Sequence, residues 1–155
     1  MRVARERCFT RILLIMSVVA LLSGCATNQA FVMPDKNFKN YKTAYVEVLQ
    51  IDEFNLGTFI ITELSDMGLQ VVNKRVSDSE LGTSMIVRYS YTTGWDLGKY
   101  MKSYQVLFLD AQTEAIIASI AYRRTGIWIG TEARKVQGFN ELRRKLGLSP
   151  SKYTE

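Results

Sequence analysis

The chain has 155 residues, with 20 Lys or Arg, 15 Asp or Glu and no His, which gives a formal net charge of +5 at pH 7. A chain without histidine lacks the most frequent general base and metal ligand of proteins. Residues 25–155 carry 16 basic and 14 acidic side chains, so most of the excess charge lies at the amino terminus. This near-neutral remainder argues against a nucleic-acid-binding protein.

The first 24 residues have the organisation of a bacterial export signal. Four arginines and one glutamate precede residues 12–22, which form an uncharged, apolar run. A membrane-spanning helix needs roughly 18 or more apolar residues, so this run is too short to span a bilayer and has the length of a signal-peptide core. Residues 1–24 are therefore predicted to be a signal peptide.

The end of this signal, Leu22, Ser23, Gly24 and Cys25, resembles the lipobox of bacterial lipoproteins. The resemblance implies that a diacylglycerol is joined to the sulfur of Cys25 and that signal peptidase II cuts before that residue. It also implies acylation of the new amino group, typically with palmitate. Two or more acyl chains hold a protein firmly on a bilayer, so the lipid is the predicted membrane anchor.

Ala26 follows the cysteine, whereas Asp at that position commonly retains enterobacterial lipoproteins in the inner membrane. The resemblance therefore implies a lipid-anchored protein in the inner leaflet of the outer membrane, facing the periplasm. Cys8 leaves with the signal and Cys25 is blocked by lipid, so no disulfide is expected. Residues 25–40 are predicted to be the lipidated cysteine and a tether, and residues 41–155 a single domain.

The first elements of that domain are a strand, a helix and a short strand. Residues 43–49 alternate between apolar and polar positions, which is typical of a half-buried strand. Asp52 or Asn55 is suited to cap the helix that follows, and Gly68 to end it. Residues 69–72 form the short strand. The predicted apolar stripe of the helix is Leu56, Phe59, Ile60, Leu64 and Met67.

Three longer strands and a second helix complete the chain. The strands are predicted at residues 84–93, 103–109 and 114–123, with a tight turn at residues 110–113. The helix begins near Thr131 and ends before Gly147. Its buried face is predicted to carry Val136, Phe139, Leu142 and Leu146.

The element order is strand, helix, four strands and helix. It predicts an α+β fold in which a mainly antiparallel sheet of about five strands carries both helices on one face. The order is also similar to that of small Gram-negative envelope lipoproteins, many of which have no known activity. That resemblance assigns no site residue.

Carboxylates are the remaining candidates for catalysis or metal binding, because the mature chain also lacks a free thiol. Asp52 lies beside Glu53, and Asp78 lies close to Glu80. Solvated loop and capping roles are the favoured interpretation of both pairs. We therefore expect no catalytic residue, metal site or cofactor other than the covalent lipid, with a carboxylate-dependent hydrolase as the remaining enzymatic alternative.

Aromatic residues in two loops mark a candidate partner-binding surface. Trp95 and Tyr100 lie in a predicted long hairpin loop at residues 94–102, and Trp128 lies in an apolar run between two glycines. Aromatic side chains are frequent anchors at protein interfaces, although both tryptophans are also compatible with packing onto the ends of the core.

The predicted function is that of a membrane-anchored, non-catalytic binding or scaffolding module that contacts another envelope protein or envelope component. The alternative is a lipid-handling or transport accessory lipoprotein that holds an acyl chain between its helices and its sheet. A cavity of several hundred cubic ångströms beneath the helices distinguishes the alternative from the first interpretation.

Overall fold

The structure is a computed structural model that describes residues 27–75, 77–95, 98–123 and 131–153, without the side chains of residues 131 and 132. The lipobox residues Leu22, Ser23, Gly24 and Cys25 lie outside the described residues, as does Trp128. The described chain forms an α+β fold with one six-stranded sheet. The strands are β1 (Thr27–Val32), β2 (Thr43–Glu47), β3 (Gln70–Val72), β4 (Ser84–Trp95), β5 (Lys99–Asp110) and β6 (Ile116–Arg123), and the helices are α1 (Leu56–Asp66) and α2 (Thr131–Lys145).

The strand order across the sheet is β1-β6-β5-β4-β2-β3. The β6–β5 and β5–β4 pairs are antiparallel, as the sequence predicted, and so is the unpredicted β1–β6 pair, whereas β2 is parallel to both β3 and β4. A parallel pair needs a long crossover connection. Helix α1 supplies that connection between β2 and β3, and a segment with one 3-10 helix, Asp78–Thr83, leads from β3 into β4.

Strand β1 corrects the expected strand count from about five to six. Residues 27–32 were predicted to belong to a tether, but they pair with β6 from Thr27↔Arg123 to Val32↔Ala118. Ala30 is buried in the core, and Asn28 bonds to Gln137 of α2 through an amide contact of 3.2 Å. The folded domain therefore begins at Thr27, two residues after Cys25.

Both helices pack on the same face of the sheet, as predicted. The α1 stripe buries Leu56, Ile60 and Leu64, and the α2 stripe buries Phe139 and Leu142. The core also includes side chains from four strands that share this face: Ala44, Val46, Met85, Val87, Tyr89, Tyr104, Val106, Phe108, Ile120 and Tyr122. Burial of these apolar surfaces is the main stabilising term of such a domain.

Two glycines let the helices approach the sheet closely. A Cβ on Gly57 of α1 would lie 2.5 Å from the hydroxyl of Tyr89, and one on Gly138 of α2 would lie 2.0 Å from the hydroxyl of Tyr104. The predicted helix stops are also confirmed, since Gly68 has φ +89° and Gly147 has φ +68°. Asp52, rather than Asn55, caps α1, because its Oδ2 accepts a hydrogen bond of 2.6 Å from the Gly57 N–H.

The β4–β5 hairpin is longer than the sequence predicted. The residues expected to form a loop at positions 94–102 continue the ladder as Gly94↔Tyr100 and Trp95↔Lys99, with an irregularity between Thr92 and Thr93. Across the sheet, Thr27 pairs with Arg123, Arg123 pairs with Ser103, and Ser103 pairs with Thr92. These four residues therefore lie at the same height along the strands. The hairpin tip therefore extends about 10 Å beyond the level of Thr27, at about 3.3 Å per residue.

Candidate functional site

The hairpin tip exposes the most accessible large apolar side chain of the described chain. Trp95 is 78% exposed, although it lies within the β4–β5 ladder opposite Lys99. An exposed Trp contributes little to the stability of its own fold, so the position indicates a surface available for contact. The alternative left open by the sequence, in which Trp95 packs onto the end of the core, does not occur.

The loop between β2 and α1 lies next to this tip. The Tyr91 hydroxyl accepts a hydrogen bond from the Glu53 N–H at 3.1 Å and donates one to the Ile51 carbonyl at 3.2 Å. Lys99 forms an ion pair of 2.6 Å with the Glu53 carboxylate, and the Phe54 ring packs edge-on against Tyr91 with centroids 5.3 Å apart. These contacts bring the loop and the hairpin into one continuous surface.

This loop also exposes apolar side chains. Ile51 is 73% exposed, Val48 is 56% exposed and Leu49 is 38% exposed. The loop lies beside β4 at Tyr89 and Tyr91, since the Leu49 N–H donates to the Tyr89 hydroxyl and the Ile51 carbonyl accepts from Tyr91. We term Val48, Leu49, Ile51 and Trp95 the loop–hairpin surface. Sequence analysis identified only Trp95, because Val48 and Leu49 were predicted to belong to strand β2 and Ile51 was assigned no role.

Trp95 and Tyr100 do not share one face of the hairpin. Side chains alternate along a strand, so Trp95 lies on the face of its partner Lys99, and Tyr100 lies on the opposite face. The Tyr100 ring instead covers Gly94, where an added Cβ would lie 2.5 Å from the ring. The predicted partner surface comprised Trp95, Tyr100 and Trp128. Its first two residues lie on opposite faces of the hairpin, and Trp128 lies outside the described residues.

The face of the sheet opposite the helices is partly covered. The 3-10 segment places Leu81 beside Tyr45 and Ile86 around a small cavity of about 50 Å³, which helps to keep Ile86 only 3% exposed. Ion pairs lie nearby, with Arg88 Nε 2.7 Å from a Glu47 carboxylate oxygen. The rest of this face has no covering element among the described residues. It exposes Ser90, Thr92, Gln105 and Ala121 and half-exposes Leu107, and we term these residues the open sheet face.

The carboxylate pairs considered as catalytic candidates have structural contacts. Asp52 Oδ2 accepts hydrogen bonds from the Gly57 N–H and from the Tyr89 hydroxyl, the latter at 2.9 Å, and so ties α1 to the sheet. Burial, together with this hydrogen bond to Asp52, raises the pKa of Tyr89 to about 12. Asp78 and Glu80 are exposed in the 3-10 helix. These positions agree with the capping and loop roles favoured by the sequence.

A buried ionic cluster is the main feature that sequence analysis missed. Glu63 of α1 is fully buried and accepts hydrogen bonds from Arg143 Nε at 2.9 Å and from the Ser151 hydroxyl. Arg143 also donates to Asp66 at 2.8 Å and to the Ser149 carbonyl at 3.2 Å. Arg143 lies in the last turn of α2 with Arg144 and Lys145, and it joins the two helices and the carboxyl-terminal segment.

A second polar cluster lies at the turn between β5 and β6. Asp110 accepts hydrogen bonds from the Tyr41 hydroxyl at 2.7 Å and from the Gln112 and Thr113 N–H groups at 3.0 and 2.9 Å. Burial opposes ionisation of Asp110, but the hydrogen bonds from Tyr41, Thr113 and Gln112 outweigh it and lower the pKa of this carboxyl. Burial and the same hydrogen bond raise the pKa of Tyr41.

The space between helices and sheet is filled by side chains in the described structure. Phe139 packs edge-on against both Phe59 and Phe108, with ring centroids 5.5 and 6.4 Å apart, and Phe38 continues the contact on the other side of Phe108. The described residues line two large depressions, of about 570 and 460 Å³, and both are open to solvent beside the ends and outer face of α2. An acyl chain beneath the helices would have to displace the aromatic core.

The described residues form neither a metal-binding group nor a membrane-spanning helix. No group of three or more His, Cys, Asp or Glu side chains in residues 27–75, 77–95, 98–123 and 131–153 is arranged to hold a metal ion. Over the same ranges, neither helix combines the length and apolar character needed to cross a bilayer.

Comparison with known proteins identifies the fold. The structure superposes on a DUF4136 family protein from Bacteroides thetaiotaomicron with a TM-score of 0.54 and 10% sequence identity, over 80% of this chain and 97% of that one. Two structures of the PelC dodecamer from Paraburkholderia phytofirmans match with TM-scores of 0.49 and 0.48 and identities of 13% and 12%, over 75% and 81% of this chain and 98% and 99% of theirs. The chain shares its fold with the DUF4136 family protein. No protein-family model and no curated protein sequence matches the chain.

Proposed function

We propose that this protein is a lipid-anchored, non-catalytic binding module of the bacterial cell envelope. The anchor is the covalent lipid on Cys25, and the partner is another envelope protein or envelope component. The observation that carries the proposal is the combination of a lipobox ending at Cys25 with a folded domain that begins at Thr27. A fully extended chain gains at most about 3.6 Å per residue, so the lipid is held within about 7 Å of the sheet.

The short connection distinguishes this protein from a domain on a free tether. Strand β1 is an edge strand that pairs with β6 along six residues and contacts α2 through Asn28. A domain held this closely cannot sample a large volume around its anchor. It is suited to hold a partner at a defined height above the membrane.

The open sheet face is the partner surface that we propose. Ser90, Thr92, Gln105 and Ala121 are exposed and uncharged, so a partner meets no charge that has to be desolvated at these positions. The exposed Arg123 borders them, because it pairs with Ser103 on the same face. The Thr92 and Ser103 hydroxyls bond to each other across the strands at 2.6 Å. Phe31 of β1, which is 48% exposed and pairs with Ser119 of β6, extends this face with an apolar side chain.

The anchor is tested by metabolic labelling with palmitate and by replacing Cys25 with Ser. We expect label in the wild-type protein, and we expect the Cys25→Ser variant to remain unprocessed and unlabelled. Wild-type protein without label, or unchanged processing and fractionation of the variant, would overturn the proposal. An Ala26→Asp variant tests the location, because it is expected to move the protein from the outer to the inner membrane without loss of the lipid.

The partner surface is tested by photo-crosslinking in intact cells. A photoreactive residue at Gln105 on the open sheet face is expected to capture a defined envelope component, while one at Thr58 on the exposed side of α1 serves as the matched control. Capture of the same species from both positions, or from neither, would argue against the open sheet face as the binding surface. The Cys25→Ser background should lose the crosslink if the partner is met only at the membrane.

A further inference from the structure

The loop–hairpin surface lies at the same end of the sheet as the proposed lipid anchor. Strand β1 begins at this end with Thr27, and one residue separates Thr27 from the proposed anchor at Cys25. Chain length alone therefore confines the anchor to within about 7 Å of Thr27, and the tip at Trp95 extends about 10 Å past the level of Thr27. Trp95 lies three strand spacings, or about 14 Å, across the sheet from Thr27.

The most exposed apolar side chains lie at this end, whereas Ile116 and Met33 at the Asp110 end are exposed to 43% and 36%. Trp95 and Ile51, at 78% and 73%, have the highest exposed fractions among the large apolar residues that the structure describes. Val48 lies in the same loop, and the Lys99–Glu53 ion pair holds the loop against the hairpin. At the opposite end of the sheet, the Asp110 carboxylate in the β5–β6 turn accepts hydrogen bonds from the Gln112 and Thr113 N–H groups.

From these positions we infer that the loop–hairpin surface is a second membrane contact, in which Trp95 and Ile51 enter the headgroup region of a phospholipid bilayer. The inference rests on the proposed anchor at Cys25. Trp prefers the membrane interface because one part of its ring system is apolar and its N–H is polar. Two contact points about 14 Å apart set the orientation of the domain, whereas a single lipid leaves it free to tilt.

Basic side chains at this end suit the same occupant. Lys102 and Arg123 are exposed, and Arg123 lies directly opposite Thr27 at the start of β1. Long basic side chains place their charge among lipid phosphates while their aliphatic parts rest on apolar surface. Asp52 and Glu53 are the described acids of the adjoining loop, and they are engaged by Tyr89 and Lys99 respectively.

The orientation has a consequence for the open sheet face. When Trp95 and the lipid both lie at the bilayer, the strands stand away from the membrane and the open sheet face is turned to the side. A partner then approaches parallel to the membrane surface. This assigns Trp95 to the membrane and leaves the open sheet face for the partner.

The test uses the mature, lipidated protein reconstituted in vesicles of phosphatidylethanolamine and phosphatidylglycerol. The mature chain has no cysteine other than the lipidated one, so a spin label attaches only at an introduced thiol. Labels are placed in the variants Ile51→Cys and, as the matched control at the opposite end, Gln112→Cys, which is exposed in the β5–β6 turn. Accessibility to oxygen and to a water-soluble nickel chelate reports membrane depth.

We expect the label at position 51 to be protected from nickel and accessible to oxygen, and the label at position 112 to show the reverse. Adding Trp95→Ser to the Ile51→Cys variant is expected to return the label toward water, and Trp95→Phe to do so less. A label at position 51 as accessible to nickel as that at position 112, on protein that still floats with the vesicles, would overturn the inference and leave Trp95 as a contact for a protein. Loss of flotation by the unlabelled wild-type protein would instead overturn the anchor itself, and with it this inference.

Discussion

The two ends of the sheet have opposite characters. At the Asp110 end, charged side chains are buried and satisfied, as in the cluster of Glu63, Arg143 and Ser151 and in the hydrogen bonds around Asp110. At the Thr27 end, the loop–hairpin surface leaves large apolar side chains in solvent. Buried ionic contacts therefore stabilise the Asp110 end, and the most exposed apolar side chains lie at the Thr27 end. This division is expected of a domain that makes its main surface contact at the Thr27 end.

The largest expected effect on stability is at the Asp110 end. Arg143→Met leaves Glu63 buried without its cation, and breaking a buried pair in this way costs about 3–5 kcal/mol. The adjacent Arg144→Met is the control, because Arg144 is exposed and pairs only with Glu141 three residues earlier on the same helix. Urea unfolding monitored by circular dichroism should separate the two variants clearly. Equal midpoints would show that the cluster does not hold α1 to α2.

A smaller loss of stability is expected where α2 meets the middle of the sheet. Gly138→Ala places a methyl group against the Tyr104 hydroxyl, which is fixed by a hydrogen bond of 3.0 Å to the Arg134 carbonyl and by stacking on Tyr122. Overpacking costs about 1–3 kcal/mol, which exceeds the gain in helix propensity of about 1 kcal/mol.

Gly82→Ala is the control for this variant, because nothing lies within 4 Å of the added methyl and the glycine has no positive φ. Thermal unfolding should show a lower Tm for Gly138→Ala than for Gly82→Ala. A higher Tm for Gly138→Ala would mean that Tyr104 moves aside without loss.

The acid sensitivity of the Asp110 end can be measured separately. The folded state lowers the pKa of Asp110 below the ordinary 3.8, so the ionised form contributes stability at neutral pH that is lost as the pH falls through the folded pKa. Asp110→Asn should lower neutral-pH stability by roughly 1.5–3 kcal/mol, the range for hydrogen bonds to a charged group. It should also flatten the decrease below about pH 4.

Asp78→Asn is the matched control for the acid prediction, because Asp78 is exposed and lies outside the Asp110 cluster. Urea midpoints collected from neutral to acid pH test both variants. If Asp110→Asn follows the wild-type acid profile, another carboxylate dominates the pH dependence and the role assigned to Asp110 is wrong.

The smallest effect on stability is expected at the Thr27 end. Trp95→Ala removes a side chain that is already 78% exposed, so the free energy of unfolding should change by no more than about 0.5 kcal/mol. The same variant is expected to reduce membrane immersion of the loop–hairpin surface. A large drop in stability would show that Trp95 supports the fold, and the contrast between the two ends would disappear.

Several elements followed from local patterns alone. The apolar stripe of α1, the glycines that end both helices, and the turn at Asp110 were predicted because each depends on residues within one or two turns of chain. The alternation at residues 84–93 also predicted strand β4, which the structure places at Ser84–Trp95. A single sequence is enough to predict these features because the interactions that determine them join residues close together in the chain.

Other features depend on distant partners. The segment with β1 reads as a polar tether, and only pairing with β6 about 90 residues later makes it a strand. Likewise Arg143 looks like a solvated cation at a helix end until Glu63, 80 residues earlier, lies beside it. No local pattern distinguishes a buried charge from an exposed one when its partner is on another element.

The sequence by itself predicted the α+β class, which the structure confirms, and it is the sole basis for the proposed export signal and lipobox at Cys25, because these depend on contiguous runs of apolar, small and alternating residues. Only the tertiary structure decided that Thr27, and with it the proposed anchor, lies at the same end of the sheet as Trp95. The reason is that strand register and direction place residues from four separate elements at one end, and register is set by packing across the whole sheet.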